Sequence, residues 1–169
     1  MKDRKENNQE SSQSGELFSI VLVEPQIPPN TGNIARLAAA LKIPLYLVGK
    51  VGFELSDKHA RRAGLDYWKY AEVRIHPDIE EFFSDLPAEK LHFFSKFASK
   101  NYTDSSYSRG DYLVFGSEIS GLPEWIFKKY QDRFVFLPIF QKKVRSLNLP
   151  RAAAAGAYEA LRQINLSGK

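Results

Sequence analysis

The chain has 169 residues, of which 43% are apolar and 26% are charged, and this composition predicts one globular domain and excludes disorder throughout. It contains no cysteine, which excludes disulfides, thiolate nucleophiles and cysteine-ligated metals. The net charge of +4 permits a polyanionic partner but does not require one.

The beginning of the chain is polar and charged, so we expect a disordered tail at 1–16 ahead of a single domain at 17–169. The tail has no hydrophobic stretch and is therefore not expected to be a signal peptide. No apolar run reaches the ~20 residues that span a bilayer. These features predict a cytoplasmic protein.

Strand and helix signals then alternate along the chain. Short apolar runs predict buried strands at 18–23, 45–48, 73–76, 91–95, 112–115 and 134–139. Helix-forming runs with capping or stop signals predict helices at 34–42, 56–63, 78–86, 123–130 and 150–163. The alternation predicts an α/β fold with a mostly parallel sheet and helices on both faces.

Polar loops follow three of the predicted strands, at 24–36, 116–124 and 138–148. Loops that follow parallel strands emerge at the carboxyl edge of the sheet, so these three are expected to enclose one pocket. In the first loop the prolines argue against a helix before residue 30, and Asn30 and Asn33 are candidate caps for the helix that follows.

Several common sites are not indicated. No segment matches the GxGxxG or P-loop patterns, which argues against ordinary dinucleotide binding and nucleoside-triphosphate hydrolysis. The residues His59, His76 and His92 are far apart in the sequence, without ligand-like spacing, so we expect surface or packing roles and no metal site. No Ser–His–acid arrangement stands out.

Four motifs occur in order: EPxIPPNTGNIxR at 24–36, RRAGLDY at 61–67, GSExxGLP at 116–123 and PxxxxxVRSLNL at 138–149, followed by YEA at 158–160. Together they resemble the small SpoU-type RNA 2′-O-ribose methyltransferases of the SPOUT superfamily. Among these, the chain is most similar to the single-domain TrmL-like (YibK-like) tRNA enzymes. The resemblance covers residues 17–164.

The resemblance implies S-adenosylmethionine as the methyl donor, with no metal, bound by loops of a deep carboxy-terminal trefoil knot. It also implies a homodimer in which both chains contribute to each active site. The expected substrate is the anticodon stem-loop of tRNA, where the wobble nucleotide (cytidine or a modified uridine) of leucine tRNAs would be methylated.

The resemblance also assigns roles to single residues. Catalytic roles fall on Arg36, Asn30 and Glu118. Because a guanidinium stays protonated in proteins, we expect Arg36 to position phosphate and ribose rather than to act as a base. The cofactor cradle would comprise Phe94, Ser95, Gly116, Leu137, Ile139, Ser146, Leu147 and Asn148. The RNA contacts would comprise Asn33, Lys58, Arg61, Arg62, Lys142 and Arg145.

Purely structural or solvent-exposed roles are the alternatives for many of these residues. Asn30 and Asn33 could be helix caps only, Glu118 an exposed loop residue, and the basic side chains solvated charges. The small residues of 152–156 and Tyr158 fit a dimer interface or ordinary core packing.

The chain departs from the family pattern at two places. Pro150-Arg151 replaces a pair that is often Ser-Asn, and Ser95-Lys96-Phe97-Ala98 replaces a Thr-Thr-Lys-Gly-like segment. The first departure is the main support for an alternative function, a non-catalytic RNA- or nucleotide-binding protein with the same fold. A related methyltransferase that acts on another RNA, such as ribosomal RNA, is a further alternative.

Overall fold

The computed structural model describes residues 15–54 and 67–166. The predicted helix at 56–63, most of the predicted tail and the RNA-contact candidates Lys58, Arg61 and Arg62 lie outside these ranges. The strands of the described part are β1 (Phe18–Val23), β2 (Leu45–Val48), β3 (Val73–His76), β4 (Leu91–Phe94), β5 (Lys100–Asn101), β6 (Asp111–Phe115) and β7 (Phe134–Phe136).

These strands form one sheet in the order β3-β2-β1-β6-β4-β7-β5, and each neighbouring pair is parallel. The described helices are α1 (Pro28–Leu41), α2 (Ile79–Ser84), α3 (Glu124–Lys129) and α4 (Leu149–Leu166). Single 3₁₀ turns lie at Trp68–Tyr70, Ala88–Lys90, Tyr102–Asp104 and Gln131–Arg133. None of the helices in this part of the chain is long and apolar enough to cross a membrane.

The core lies in two layers, one on each face of the sheet. Side chains alternate along β1, so Ile20 and Leu22 face one layer while Val21 and Val23 face the other. Helices α1 and α4 cover the first layer, and α2 and α3 cover the second. The predicted α/β class with helices on both faces is confirmed, and the sheet is parallel throughout its described strands.

Helix α1 begins at Pro28, six residues before the predicted start, so the prediction that Pro28 and Pro29 are non-helical was wrong. Proline is tolerated in the first turn of a helix because the N–H groups there have no intrahelical partner. The N-cap is Ile27, which has no capping side chain. Asn30 and Asn33 lie inside the helix, so neither is its cap.

The predicted end of one strand was wrong, and one strand was missed. Strand β7 ends at Phe136 rather than at residue 139, and the half-buried residues that follow it turn towards a cleft. Strand β5 has only two residues, Lys100 and Asn101, which pair with Val135 and Phe136. A two-residue polar strand gives no alternation in the sequence, so it was missed.

Helix α4 accommodates the departure at Pro150, which is the second residue of the helix. The backbone N–H groups of Arg151 and Ala152 donate to the carbonyl of Asn148 at 3.0 and 3.1 Å. A Cβ added at the buried Gly156 would lie 2.7 Å from the ring of Phe94. This helix therefore approaches the end of β4 closely, which supports core packing for that glycine.

Candidate active site

A cleft of about 720 Å³ opens at the carboxyl edge of the sheet, between the loops that follow β1, β4, β6 and β7. Asn30 and Glu118 line it. So do all the residues predicted for the cofactor cradle: Phe94, Ser95, Gly116, Leu137, Ile139, Ser146, Leu147 and Asn148. The structure therefore brings together the three loops that the sequence predicted to converge.

The loop after β6 is a tight turn that closes one side of the cleft. The N–H of Ser117 donates to the carbonyl of Gly121 at 3.1 Å, and the reverse bond is 2.9 Å long. Gly121 has a φ of 70°, which favours glycine. A Cβ at Gly116 would lie 2.4 Å from the carbonyl carbon of Gly121. A side chain at position 116 therefore cannot fit unless the backbone of this turn moves.

A chain of hydrogen bonds joins the three loops across the cleft. The side-chain amide of Asn148 donates to Oδ1 of Asn30 at 3.3 Å. The amide of Asn30 in turn donates to Oε1 of Glu118 at 3.2 Å. One residue from each loop takes part, so the position of each loop depends on the other two.

Glu118 also accepts hydrogen bonds from the backbone just before α1. Its carboxylate accepts from the backbone N–H of Gln26 at 2.9 Å and of Ile27 at 3.3 Å. The N-cap Ile27 cannot cap the helix itself, and negative charge is favourable at a helix N-terminus. Glu118 therefore holds the first loop in place, whereas a contact of this residue with substrate stays a prediction.

Among the described residues, the others predicted to act on RNA lie outside the cleft. Arg36 is exposed on α1, and its guanidinium carbon is 4.6 Å from the centre of the Tyr67 ring. The amide of Asn33 donates to the carbonyl of Pro29 at 2.9 Å. Lys142 and Arg145 are exposed on the segment that connects β7 to α4.

The lining residues that were not predicted as site residues include Lys96, Phe97 and Ile119 at the rim. Phe97 is 76% exposed and Ile119 is 80% exposed, which is unusual for large apolar side chains. Their positions directly after predicted strands were the available signal. Lys96 and Phe97 belong to the segment in which the chain departs from the pattern of the family that it resembles.

A buried polar cluster lies at the opposite edge of the sheet. Nδ1 of His92 is 3.1 Å from Oγ of Ser105, and its Nε2 is 2.9 Å from the carboxylate of Asp111. The sequence did not predict this Ser–His–Asp arrangement. The cluster sits at the amino ends of β4 and β6, and all three residues are buried. It is consequently a packing and hydrogen-bonding cluster and not part of the cleft. This agrees with the packing role predicted for His92.

The environment of Asp111 changes the pKa of its carboxyl. Burial raises the pKa, but hydrogen bonds from His92, from the Ser108 N–H and from Lys90 outweigh that effect. The net result is a pKa below the ordinary value, so the charged form is favoured in the folded protein.

Comparison with known proteins agrees with this geometry. The sequence model of the SpoU rRNA Methylase family matches residues 17–158. A tRNA (cytidine(34)-2′-O)-methyltransferase of Saccharophagus degradans is 42% identical over 153 residues, which cover 90% of this chain and 99% of that protein.

Solved structures have the same fold. One that concerns the 2-OH methylation of C/U34 on tRNA is 40% identical, with a TM-score of 0.78, and the match covers 90% of this chain and 97% of that chain. The SpoU methyltransferase AviRb from Streptomyces viridochromogenes, in complex with AdoMet, is 23% identical, with a TM-score of 0.76 and coverage of 91% and 62%. The family match spans the sheet and all three loops of the cleft, and the chain belongs to the SpoU methylase family.

Proposed function

We propose that this protein is an S-adenosylmethionine-dependent 2′-O-ribose methyltransferase that acts on the wobble nucleotide, position 34, of tRNA. The observation that carries the proposal is the joining of three loops around one cleft by Asn148, Asn30 and Glu118. The activity named for relatives that match almost end to end supports it. From the family resemblance, the substrate nucleotide is a cytidine or a modified uridine in leucine tRNAs.

The cleft suits the proposed methyl donor. Its volume of about 720 Å³ lies within the usual range for small-molecule sites. Gly116 lets the turn close tightly on itself and leaves the backbone of that turn in the lining of the cleft. The walls at Leu137, Ile139 and Leu147 offer apolar contact to an adenine ring. When bound, S-adenosylmethionine supplies a methyl group on a sulfonium sulfur, and the neutral thioether that remains after transfer is a good leaving group.

A ribose hydroxyl is a weak nucleophile at neutral pH, so alignment is the main contribution that the protein can make. Asn30 is held between Glu118 and Asn148 and can present a fixed polar group to the ribose. Arg36 would contact a phosphate and the ribose, because a guanidinium binds phosphate oxygens through paired N–H groups.

The RNA would be bound by the methyltransferase surface itself. Lys142, Lys143 and Arg145 are exposed beside the cleft and can contact phosphates. The bases of a single-stranded anticodon loop are open to stacking and edge contacts, and the exposed ring of Phe97 at the rim is suited to such stacking.

The active form is proposed to be a cytoplasmic homodimer with parts of each site from both chains. Arg36 does not line the cleft of its own chain, and a partner chain would provide a way to bring it to a cleft. Exposed Tyr158 on α4 is a candidate interface residue. Sedimentation equilibrium should give twice the chain mass of 19.3 kDa; a monomer that methylates tRNA would contradict this part of the proposal.

The proposed fold includes a deep trefoil knot. In the sheet, β4 separates β7 from β6. After β7 the chain passes the turn at 116–121 and returns as α4, which packs against β1 and β6. This path is compatible with a carboxy-terminal segment that is threaded through the preceding loop. A crystal structure traced continuously through residues 116–166 tests it, and a carboxy-terminal helix that passes outside the preceding loop would contradict it.

The function is tested by methyl transfer from labelled donor to bulk tRNA from cells that lack the modification, followed by mapping of the modified nucleotide by mass spectrometry. We expect one 2′-O-methyl group at position 34. Donor binding without transfer to any RNA would favour the non-catalytic binding protein. Transfer to ribosomal RNA alone would identify a different substrate.

Arg36→Ala should reduce turnover below detection while donor affinity, measured by calorimetry, stays within about twofold, because the side chain lies outside the donor cleft. Arg109→Ala is the matched control, since that guanidinium donates to the carbonyl of Gly15 away from the cleft. Equal loss of turnover and donor affinity in Arg36→Ala would mean that this residue belongs to the donor site.

A further inference from the structure

The exposed guanidinium of Arg36 is held by one aromatic ring. Its central carbon is 4.6 Å from the centroid of the Tyr67 ring, within the range of a cation–π contact. Among the described residues, no hydrogen bond or ion pair fixes this guanidinium. The ring is therefore the group, in this part of the chain, that can restrict the orientation of the Arg36 side chain.

The ring itself is positioned by a short, anchored turn. The N–H of Tyr70 donates to the carbonyl of Tyr67 at 2.9 Å, and that of Ala71 donates to Trp68 at 3.1 Å. Trp68 and Ala71 pack against the core layer beneath α1. Tyr67 is 41% exposed, so one side of the ring remains at the surface. The turn thus fixes the backbone of Tyr67 beside the exposed face of α1.

A cation that lies over an aromatic face keeps its N–H groups at the edge of the guanidinium plane. These edges can still donate to phosphate or to a ribose oxygen. An unrestrained arginine has many rotamers, and it must lose that freedom when it engages a substrate. Stacking on Tyr67 would remove much of this freedom before substrate arrives, which is the benefit of a preorganised site.

We propose that Tyr67 is a positioning residue that orients the guanidinium of Arg36 towards the substrate ribose and phosphate. This inference rests on the proposed function, because it assigns a reason for the orientation. It also gives a role to the last residue of the RRAGLDY motif. The Tyr67 hydroxyl has no hydrogen-bond partner within the described ranges, so the ring and not the hydroxyl is the part that matters.

The same turn offers a matched control. Tyr70 is 66% exposed, and its ring is contacted by the ammonium of Lys69 at 4.8 Å. Replacing Tyr70 removes an exposed aromatic ring and a cation–π contact of similar geometry without touching Arg36. A general effect of losing a surface tyrosine would therefore affect both positions alike.

The kinetic test compares Tyr67→Leu, Tyr67→Phe and Tyr70→Leu. We expect Tyr67→Leu to lower kcat roughly tenfold, a loss typical of a misplaced reacting group, with donor affinity and KM for tRNA within about twofold of the wild type. Tyr67→Phe should restore kcat to within about twofold, because phenylalanine keeps the π face. Tyr70→Leu should match the wild type.

A second arm asks whether Tyr67 acts through Arg36. In an Arg36→Lys background, Tyr67→Leu should change kcat by less than about twofold, since residues that act as a unit are not additive. An undiminished tenfold loss in that background would overturn the proposal. So would an equal loss in Tyr67→Phe, or a loss confined to KM.

A spectroscopic arm needs neither donor nor RNA. In the free protein, the Nε–Hε signal of Arg36 should be shifted upfield by the ring current of Tyr67. The shift should persist in Tyr67→Phe and Tyr70→Leu and be lost in Tyr67→Leu, and Arg36→Lys assigns the signal. A wild-type protein that methylates no RNA would contradict the proposed function, but the shift of the Arg36 signal could still be measured. An unshifted Arg36 signal would defeat the positioning role even in an active enzyme.

Discussion

At the scale of single residues, the carboxylate of Glu118 has two roles, one at the start of α1 and one at the cleft, and the sequence does not show that they are connected. Oε2 accepts from the backbone of Gln26, while Oε1 accepts from Ile27 and from the amide of Asn30. The same carboxylate thus completes the start of α1 and orients a side chain at the cleft. Family resemblance pointed to this residue, but no local pattern indicates that it accepts hydrogen bonds from the backbone that leads into α1.

Glu118→Ala should lower the free energy of unfolding by about 1–2 kcal/mol, because it removes the acceptor for the backbone N–H groups of Gln26 and Ile27 just before α1. It should also lower kcat, since Asn30 loses its partner. Urea denaturation and methyl-transfer kinetics measure the two effects. Glu124→Ala is the control, because Glu124 forms an exposed pair with Lys128, which contributes little. Unchanged stability in Glu118→Ala would disprove this stabilising role.

The buried Asp111 predicts a pH dependence of stability. Its folded-state pKa is depressed, so its contribution is fully present above the ordinary carboxyl pKa and is lost as pH falls through the folded value. Asp111→Asn should therefore reduce the free energy of unfolding at pH 7 by about 1–3 kcal/mol. The difference from the wild type should shrink below about pH 4. Urea titrations at several pH values measure it, and a difference that grows on acidification would be the wrong sign.

At the scale of elements, apolar patterning located the strands well and located helix ends less well. The bounds of β1 and β2 follow directly from runs of mostly buried residues. The start of α1 could not be read from local signals, because a distant carboxylate and two first-turn prolines replace the usual cap. The predicted end of β7 lies too far along the chain, because the apolar residues Leu137 and Ile139 line the cleft and do not belong to the strand.

The turn after β6 makes a prediction at this scale. Gly116→Ala should weaken donor binding at least tenfold, as the new methyl group meets the backbone of Gly121 at 2.4 Å and the turn must move. Calorimetric titration with S-adenosylhomocysteine measures the affinity. Gly15→Ala is the matched control, because a Cβ there has no neighbour within 4 Å. Donor affinity equal to that of the wild type would show that the turn does not shape the site.

At the scale of the whole molecule, the sheet topology explains why distant motifs form one site. Parallel strands β1, β6 and β7 end at the same edge, so their loops meet there although they are widely separated in sequence. Polar composition after each strand was enough to predict the convergence. The hydrogen bonds between loops, the exposed aromatic ring at the rim and the contact between Arg36 and Tyr67 depend on tertiary placement and could not be predicted from spacing.

RNA binding should depend on charge near the cleft. The double variant Lys142→Ala/Lys143→Ala should weaken tRNA binding uniformly across sequences, and the slope of log affinity against log salt should fall by roughly 0.7 for each phosphate that is no longer neutralised. Filter binding at several salt concentrations measures both quantities. The control is Lys128→Ala/Lys129→Ala on α3, and a loss of equal size there would indicate diffuse charge attraction instead of a defined surface.

The most direct test of the account is a crystal structure of the protein with S-adenosylhomocysteine. We predict that the nucleoside lies in the cleft between Gly116 and Leu147, with its sulfur directed towards Asn30. A molecule bound anywhere else on the protein, or a cleft that stays empty at saturating ligand while tRNA is still methylated, would contradict it.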